Sequence, residues 1–429
     1  MAGNVQLPEL FVTPDRRIPR AFNAYDPALL PVGTVREPID ITASDGAFSL
    51  GILHLPPTPR GSMCAMFMHP RTQQTRPYLA PYLLDAGIAV WGQHSRHVNN
   101  DTDMTHEEVL LDVAAGMRML RDRGFEQIVL IGNSGGGSLL GSYQWQATAA
   151  PDLRMTTDPA GGPTGFAGED MPPADLFVAL AAHQGEGLVL LDALDAAIVD
   201  EHDPIAVDPA LDLFSPANGY RPFPQESRYD PAFIDRYRAA QRARCARIDA
   251  LARTALADYA DARASSDASD LTTPWARRAT ALPYLVVYGT CANPANLDLS
   301  IDPSDRPVGS LFANGNPFSG NSAPGGLARV VTPRAWLSTW SGLASRCELT
   351  YAIEHLDVPT LFVYPEADEV IFPRSQEDLV ARCPADDLEM ERLPHALHYL
   401  GMAPGAPDPY DPRAAAGEIV AAWLTARMA

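Results

Sequence analysis

Lysine does not occur in the 429 residues, and all 32 basic side chains are arginine. That excludes a Schiff-base lysine, a pyridoxal-phosphate anchor and a Walker lysine on a nucleotide phosphate. Positive charge is scarce altogether: against 53 acidic residues the formal net charge is −21, which argues against nucleic acid and anionic membrane surfaces as partners. Long apolar runs are also missing. None reaches the roughly 18 residues of a membrane span, and Met1 to Arg20 mixes Pro, Asp, Glu and Arg with no apolar signal-peptide core. The cytoplasm is the expected location. The five cysteines (Cys64, Cys245, Cys291, Cys347, Cys383) are scattered, odd in number and without metal-ligand spacing, so no disulfide framework is expected. No His-Glu-x-x-His occurs, and the pairs His94/His97 and His395/His398 have no carboxylate or third ligand at convincing spacing. Neither a metal nor a cofactor is expected.

What the chain does have is 46% hydrophobic residues, enough for a large core, and one organising stretch. Ile128-Val129-Leu130-Ile131 is an apolar, β-branched run that ends in Gly132-Asn133-Ser134-Gly135-Gly136 and passes into a helix-competent segment. A strand delivering serine to a sharp turn, with glycines where strand and helix cross, is the recipe for a nucleophile elbow. The following helix begins at the serine, so its free N–H groups and positive end face negative charge developing there. This stretch resembles the α/β-hydrolase superfamily.

Upstream of the elbow, strand and helix patterns alternate. A hairpin turns at Asp45-Gly46 between Ile39–Thr42 and Phe48–Leu55. Met63–Met68 and Ile88–Trp91 read as strands buried on both faces. Glu107–Asp122 reads as an amphipathic helix with Leu110, Val113, Ala114, Met117 and Leu120 on one face. Such alternation means a mostly parallel, doubly wound sheet, with its ligand at the carboxyl ends of the strands. Leu176–Ala182 is a further strand, ending at His183. The alternation then stops and resumes at Val358–Tyr364, followed by a helix near Arg374–Cys383, a strand Leu388–Leu393 and a last helix Pro412–Met428. In between lie a long Arg/Ala-rich helix, Phe233–Ala264, and a helix Pro333–Arg346 carrying Trp336 and Trp340 at i,i+4. The resemblance implies a lid in this gap. The expected organisation is an N-terminal arm (1–36), a first core part (37–189), a large, mainly helical lid insertion (190–355) and a second core part (356–429).

A serine hydroxyl is a poor nucleophile until a base takes its proton. Histidine suits that task, and a buried carboxylate fixes its tautomer. The resemblance implies the order Ser, acid, His. Asp368, just past the strand Val358–Tyr364, stands where the superfamily places its acid; Glu366 lies too near the strand end, Glu369 would point the other way, and Asp357 is at the wrong end of the sheet. His398, about 30 residues further on, opens a short helical segment and is the base, with His395 as rival. The resemblance also implies two oxyanion donors. Gly135 N–H is one. The other belongs to the loop after Met63–Met68, where His69-Pro70-Arg71 stands in place of the His-Gly of relatives. Proline has no N–H, so Arg71 is expected to donate, with Thr72 behind it, while His69 braces the loop. His183 either lines the acyl pocket or is a satisfied structural histidine. Trp336 and Trp340 either line a substrate pocket or pack as lid core.

The expected activity is hydrolysis of a small-molecule carboxylic ester through an acyl-enzyme. Lactone or thioester cleavage would use the same groups. A carbon–carbon bond hydrolase or acyltransferase on this fold is the enzymatic alternative, and a non-catalytic ligand-binding member the alternative of another class. The oligomeric state is not legible.

Overall fold

The computed structural model describes residues 24–428 apart from 314, 324 and 325. Most of the expected N-terminal arm, residues 1–23, lies outside the described residues. Eight strands form one sheet: β1 (Val35–Thr42), β2 (Phe48–Leu55), β3 (Met63–His69), β4 (Ala89–His94), β5 (Gln127–Asn133), β6 (Leu176–Leu180), β7 (Thr360–Pro365) and β8 (Leu388–Leu393). Their spatial order is β1-β2-β4-β3-β5-β6-β7-β8. β1 and β2 form the expected hairpin, with Asp45-Gly46 in its turn and Gly46 at φ 85°. β2 runs antiparallel to β4, and every later pair is parallel. The mostly parallel, doubly wound sheet is thus present.

The two faces of the sheet are written in its strands. All seven residues of β3 are buried. Cys64, Met66 and Met68 join one core cluster, and Met63, Ala65 and Phe67 join another. Successive side chains of a strand point to opposite faces, so a run without polar residues needs cover on both. On one face lie α2 (His106–Asp122) and α3 (Gly135–Thr148), through Leu110, Val113, Leu139 and Leu140. On the other lie α1 (Ala80–Asp85) and the C-terminal helix Pro412–Thr425, through Leu83, Leu84, Val420 and Leu424.

Between β6 and β7 the chain leaves the sheet. This insertion opens with α4 (Glu186–Ala193) and holds α5 (Pro231–Ala264), 34 residues long. α5 starts two residues earlier than its apolar pattern suggests, because Asp230 caps it by accepting from Ala232 N–H at 2.8 Å and Pro231 suits the first turn. Phe233, Tyr237, Gln241, Arg244, Cys245, Ile248 and Ala252 form its buried stripe. The guanidinium of Arg244, 1% exposed, pairs with Glu201 at 2.8 Å and donates to the carbonyls of Asp195 and Tyr288. Part of the insertion shares the α2/α3 side of the main core, and a smaller cluster of Leu213, Tyr220, Tyr229, Phe233 and Tyr237 is its own.

Two expected helices differ. Over Pro333–Arg346 there is one α-turn, Pro333–Ala335, which widens into a π-helical stretch, Trp336–Trp340. It stops there, where Ser341 Oγ accepts from Leu343 and Ala344 N–H, and Gly342 lets the chain pass close to α4, since a Cβ there would come within 2.7 Å of Gly187 O. The segment opened by His398 consists of turns rather than helix, with His395 and Leu400 at φ 54° and 56°. The segment Leu282–Tyr288 supplies only a two-residue strand, Leu285–Val286. Among the described residues no helix is long and apolar enough to cross a membrane.

Candidate active site

Ser134 sits between β5 and α3 at φ 55°, ψ −125°, a backbone conformation that favours glycine. Its N–H is held by the carbonyls of Leu180 and Ala181, each at 3.2 Å. Glycine is needed on both sides of it by close approach. A Cβ on Gly132 would lie 2.5 Å from Gly137 Cα, and one on Gly136 would lie 2.5 Å from the carbonyl oxygen of Met68. The turn therefore presses the start of α3 directly against the ends of β5 and β3.

The structure brings the three residues of the expected triad into one line. Ser134 Oγ is 2.9 Å from His398 Nε2, and His398 Nδ1 is 2.8 Å from Asp368 Oδ2. All three are buried. The other oxygen of Asp368 accepts from Val370 and Ile371 N–H, at 2.7 and 2.9 Å. Asp368 is thereby fixed in the loop after β7, with its second oxygen turned to the His398 imidazole. Burial pushes His398 down, but the charge and hydrogen bond of Asp368, with Glu369 and Glu186 behind, outweigh it and raise its pKa. Glu369 does not point away. Its carboxylate accepts from His398 N–H at 3.2 Å and holds the histidine loop. His395 turns the other way, to Asp305 of the insertion, at 2.8 Å.

Arg71 is a correction. Its N–H, expected as the second oxyanion donor, donates instead to His69 Nδ1 at 3.2 Å, and the N–H of Thr72 does the same at 3.3 Å. Pro70 forces this tight loop and has no N–H to offer. The Arg71 guanidinium still borders the site: it pairs with Asp101 at 2.7 Å, approaches Glu186 Oε1 at 3.5 Å and lies 5.4 Å over the ring of Trp340.

His183 is buried beside the triad, with Nε2 3.9 Å from Glu186. Burial first, then the charges of His398 and Arg71, push it down to about 3, so it is neutral. It also lines a cleft between the acid loop and the insertion, with Asn293, Asn296, Phe312, Glu369 and Phe372. The two tryptophans separate. Trp340 reaches the site through Arg71, whereas Trp336 donates its indole N–H to Asp249 on α5 at 2.7 Å and packs inside the insertion.

Glu186, Tyr399 and Asp101 escaped the sequence reading. Glu186, at the start of α4, is 3% exposed, and burial raises its pKa against the pull of Arg71. Tyr399 packs edge-on against His398, their ring centroids 4.7 Å apart. Proximity to His398 and to the end of β6 was the signal available for Tyr399 and Glu186.

Compared with known proteins, the chain matches no family model and no curated sequence. Among solved structures it is similar to the esterase domain of a Rhodothermus marinus protein, at a TM-score of 0.43 and 12% identity, over 91% of this chain and 98% of that one. Est1E from Butyrivibrio proteoclasticus aligns at 0.43 and 11%, over 91% and 98%. DcsB, solved in complex with its substrate analogue, aligns at 0.47 and 11%, over 92% and 100%.

Proposed function

We propose that this chain, an α/β-hydrolase by its strand order, its crossovers and its elbow, is a serine hydrolase that cleaves a small-molecule carboxylic ester. The observation that carries the reading is the continuous line Ser134 Oγ–His398 Nε2, 2.9 Å, and His398 Nδ1–Asp368 Oδ2, 2.8 Å. His398 takes the Ser134 proton as Oγ bonds to the carbonyl carbon, and the C=O π electrons move to the oxygen. Asp368 stabilises the imidazolium without itself being protonated. The tetrahedral species collapses, the C–O bond to the alcohol breaks, and His398 returns the proton to the leaving oxygen. Water repeats the sequence on the acyl-enzyme, releasing the acid and Ser134. Gly135 N–H, at the positive end of α3, meets the developing oxyanion.

The insertion, 190–355 in our reading, acts as the lid. The cleft bordered by His183, Asn296 and Phe372 lies between it and the Asp368 loop. A lactone or thioester fits the same chemistry.

The test uses a fluorophosphonate probe and a panel of p-nitrophenyl esters. The parent should be labelled at Ser134 and turn over at least one ester. Ser134→Ala should lose labelling and about 10³-fold or more in kcat while melting normally. A folded Ser134→Ala that keeps activity within about tenfold of the parent sinks the reading.

A further inference from the structure

An oxyanion hole needs two donors, and the loop expected to provide the second has none of its backbone N–H groups free at its start. Pro70 has none, and those of Arg71 and Thr72 both point at His69 Nδ1. We propose that the second donor is the side chain of His69, through Nε2–H. The inference rests on the serine hydrolase reading and adds a catalytic residue to it.

Three observations support it. The first is the tautomer. A neutral imidazole has one N–H and one lone pair, and two N–H groups aimed at Nδ1 place the lone pair there. The proton is therefore on Nε2. The second is position. His69 is the last residue of β3, and the missing Cβ of Gly136 lets α3 close onto that strand end at Met68 O. His69 is thereby carried to the elbow: its Nε2 would lie 3.1 Å from a Cβ built on Gly135. The Nε2–H thus stands beside the residue whose own N–H is the first donor, and the room a Gly135 side chain would take is shared by His69 Nε2 and the Glu186 carboxylate. The third is charge. Burial, together with Arg71, His183, His106 and His398, pushes the ring well below the ordinary imidazole range. His69 stays neutral and keeps this tautomer through neutral pH.

Glu186 bounds the same space from α4. Its Oε1 would come within 2.2 Å of a Cβ on Gly135 and makes no hydrogen bond among the described residues. A carboxylate there opposes an oxyanion, and the Arg71 guanidinium 3.5 Å away supplies the opposite charge. His69 therefore has two roles on its two nitrogens: Nδ1 holds the loop, and Nε2–H faces the reacting oxygen.

The discriminating variant is His69→Asn. Its Oδ1 can still accept from Arg71 and Thr72 N–H, but the side chain ends short of Nε2. On the ester turned over by the parent, kcat should fall about 10²- to 10³-fold, the usual loss for one oxyanion donor, with KM changed less than about threefold. Melting should be normal, and affinity for a trifluoromethyl ketone, which forms a tetrahedral adduct, should fall with kcat. A folded His69→Asn with kcat within about fivefold of the parent makes His69 a brace only and overturns the inference. If that variant misfolds, the parent decides. The ¹H resonance of His69 Nε2–H should move downfield when the ketone adduct forms, and an unmoved resonance overturns the inference. A parent that is neither labelled by the fluorophosphonate nor active overturns the hydrolase reading and this one with it. An active, labelled parent with an active His69→Asn overturns this one alone.

Discussion

Ser134 is held in a conformation that costs a residue with a side chain on the order of 1–3 kcal/mol, and its N–H is fastened to two carbonyls at the end of β6. The hydroxyl is thus aimed by the backbone before any substrate arrives. His398 is tuned in the same static way. Its pKa is raised above 6.5 because Asp368 more than offsets the burial that would lower it. The base must be neutral to act, so kcat/KM should climb as pH rises through a value above 6.5 and then level off. In Asp368→Asn the charge that raises the pKa is gone. The remaining activity, reduced about 10⁴-fold, should have its acidic limb displaced to lower pH. A limb that stays in place would mean that another group sets it. A pH series of initial rates on one ester decides the matter.

At the scale of elements, what the sequence makes legible is what one strand or one helix settles alone. Met63–Met68 has to be a central strand, since its unbroken apolar run needs cover on both faces. Gly132 and Gly136 have to flank a close crossing, and Asp368 and His398 follow strand ends at an edge already known to bear the serine. Less legible is whatever depends on partners far along the chain. Less legible too is a rotamer: Arg71 N–H is lost as a donor because the His69 ring, only two residues away, turns back on its own loop. Pro333–Arg346 has helical spacing, but its fate is set by packing against α4 and by Ser341. Trp336 faces α5 rather than substrate. In Trp336→Phe the buried Asp249 oxygen loses its 2.7 Å donor, at a cost of about 1–3 kcal/mol in urea unfolding. Fluorophosphonate labelling of Ser134 and KM should be unchanged. A folded variant with altered KM would return Trp336 to the substrate pocket.

Across the whole molecule, the insertion is fastened to the segments around Asp368 and His398. Asn296 donates to the carbonyl of Glu369 at 2.8 Å, Asp302 accepts from Arg374 N–H at 3.1 Å, and Asp305 pairs with His395 at 2.8 Å. Ser134 and His398 themselves are 264 positions apart. Long loops must close before contacts of such separation form, and this slows their formation. The order of events on refolding follows. Helices such as α5 should form first, from local contacts, the sheet next, and the Ser134–His398 pair last, once the insertion has docked onto the segments that follow it. On dilution from urea, far-UV ellipticity should therefore recover before labelling at Ser134 does. Recovery of both at one rate would mean that the site forms with the sheet. In terms of synthesis, the nucleophile of the proposed triad is made 264 positions before its base, so a chain that has not reached His398 should not be labelled at Ser134.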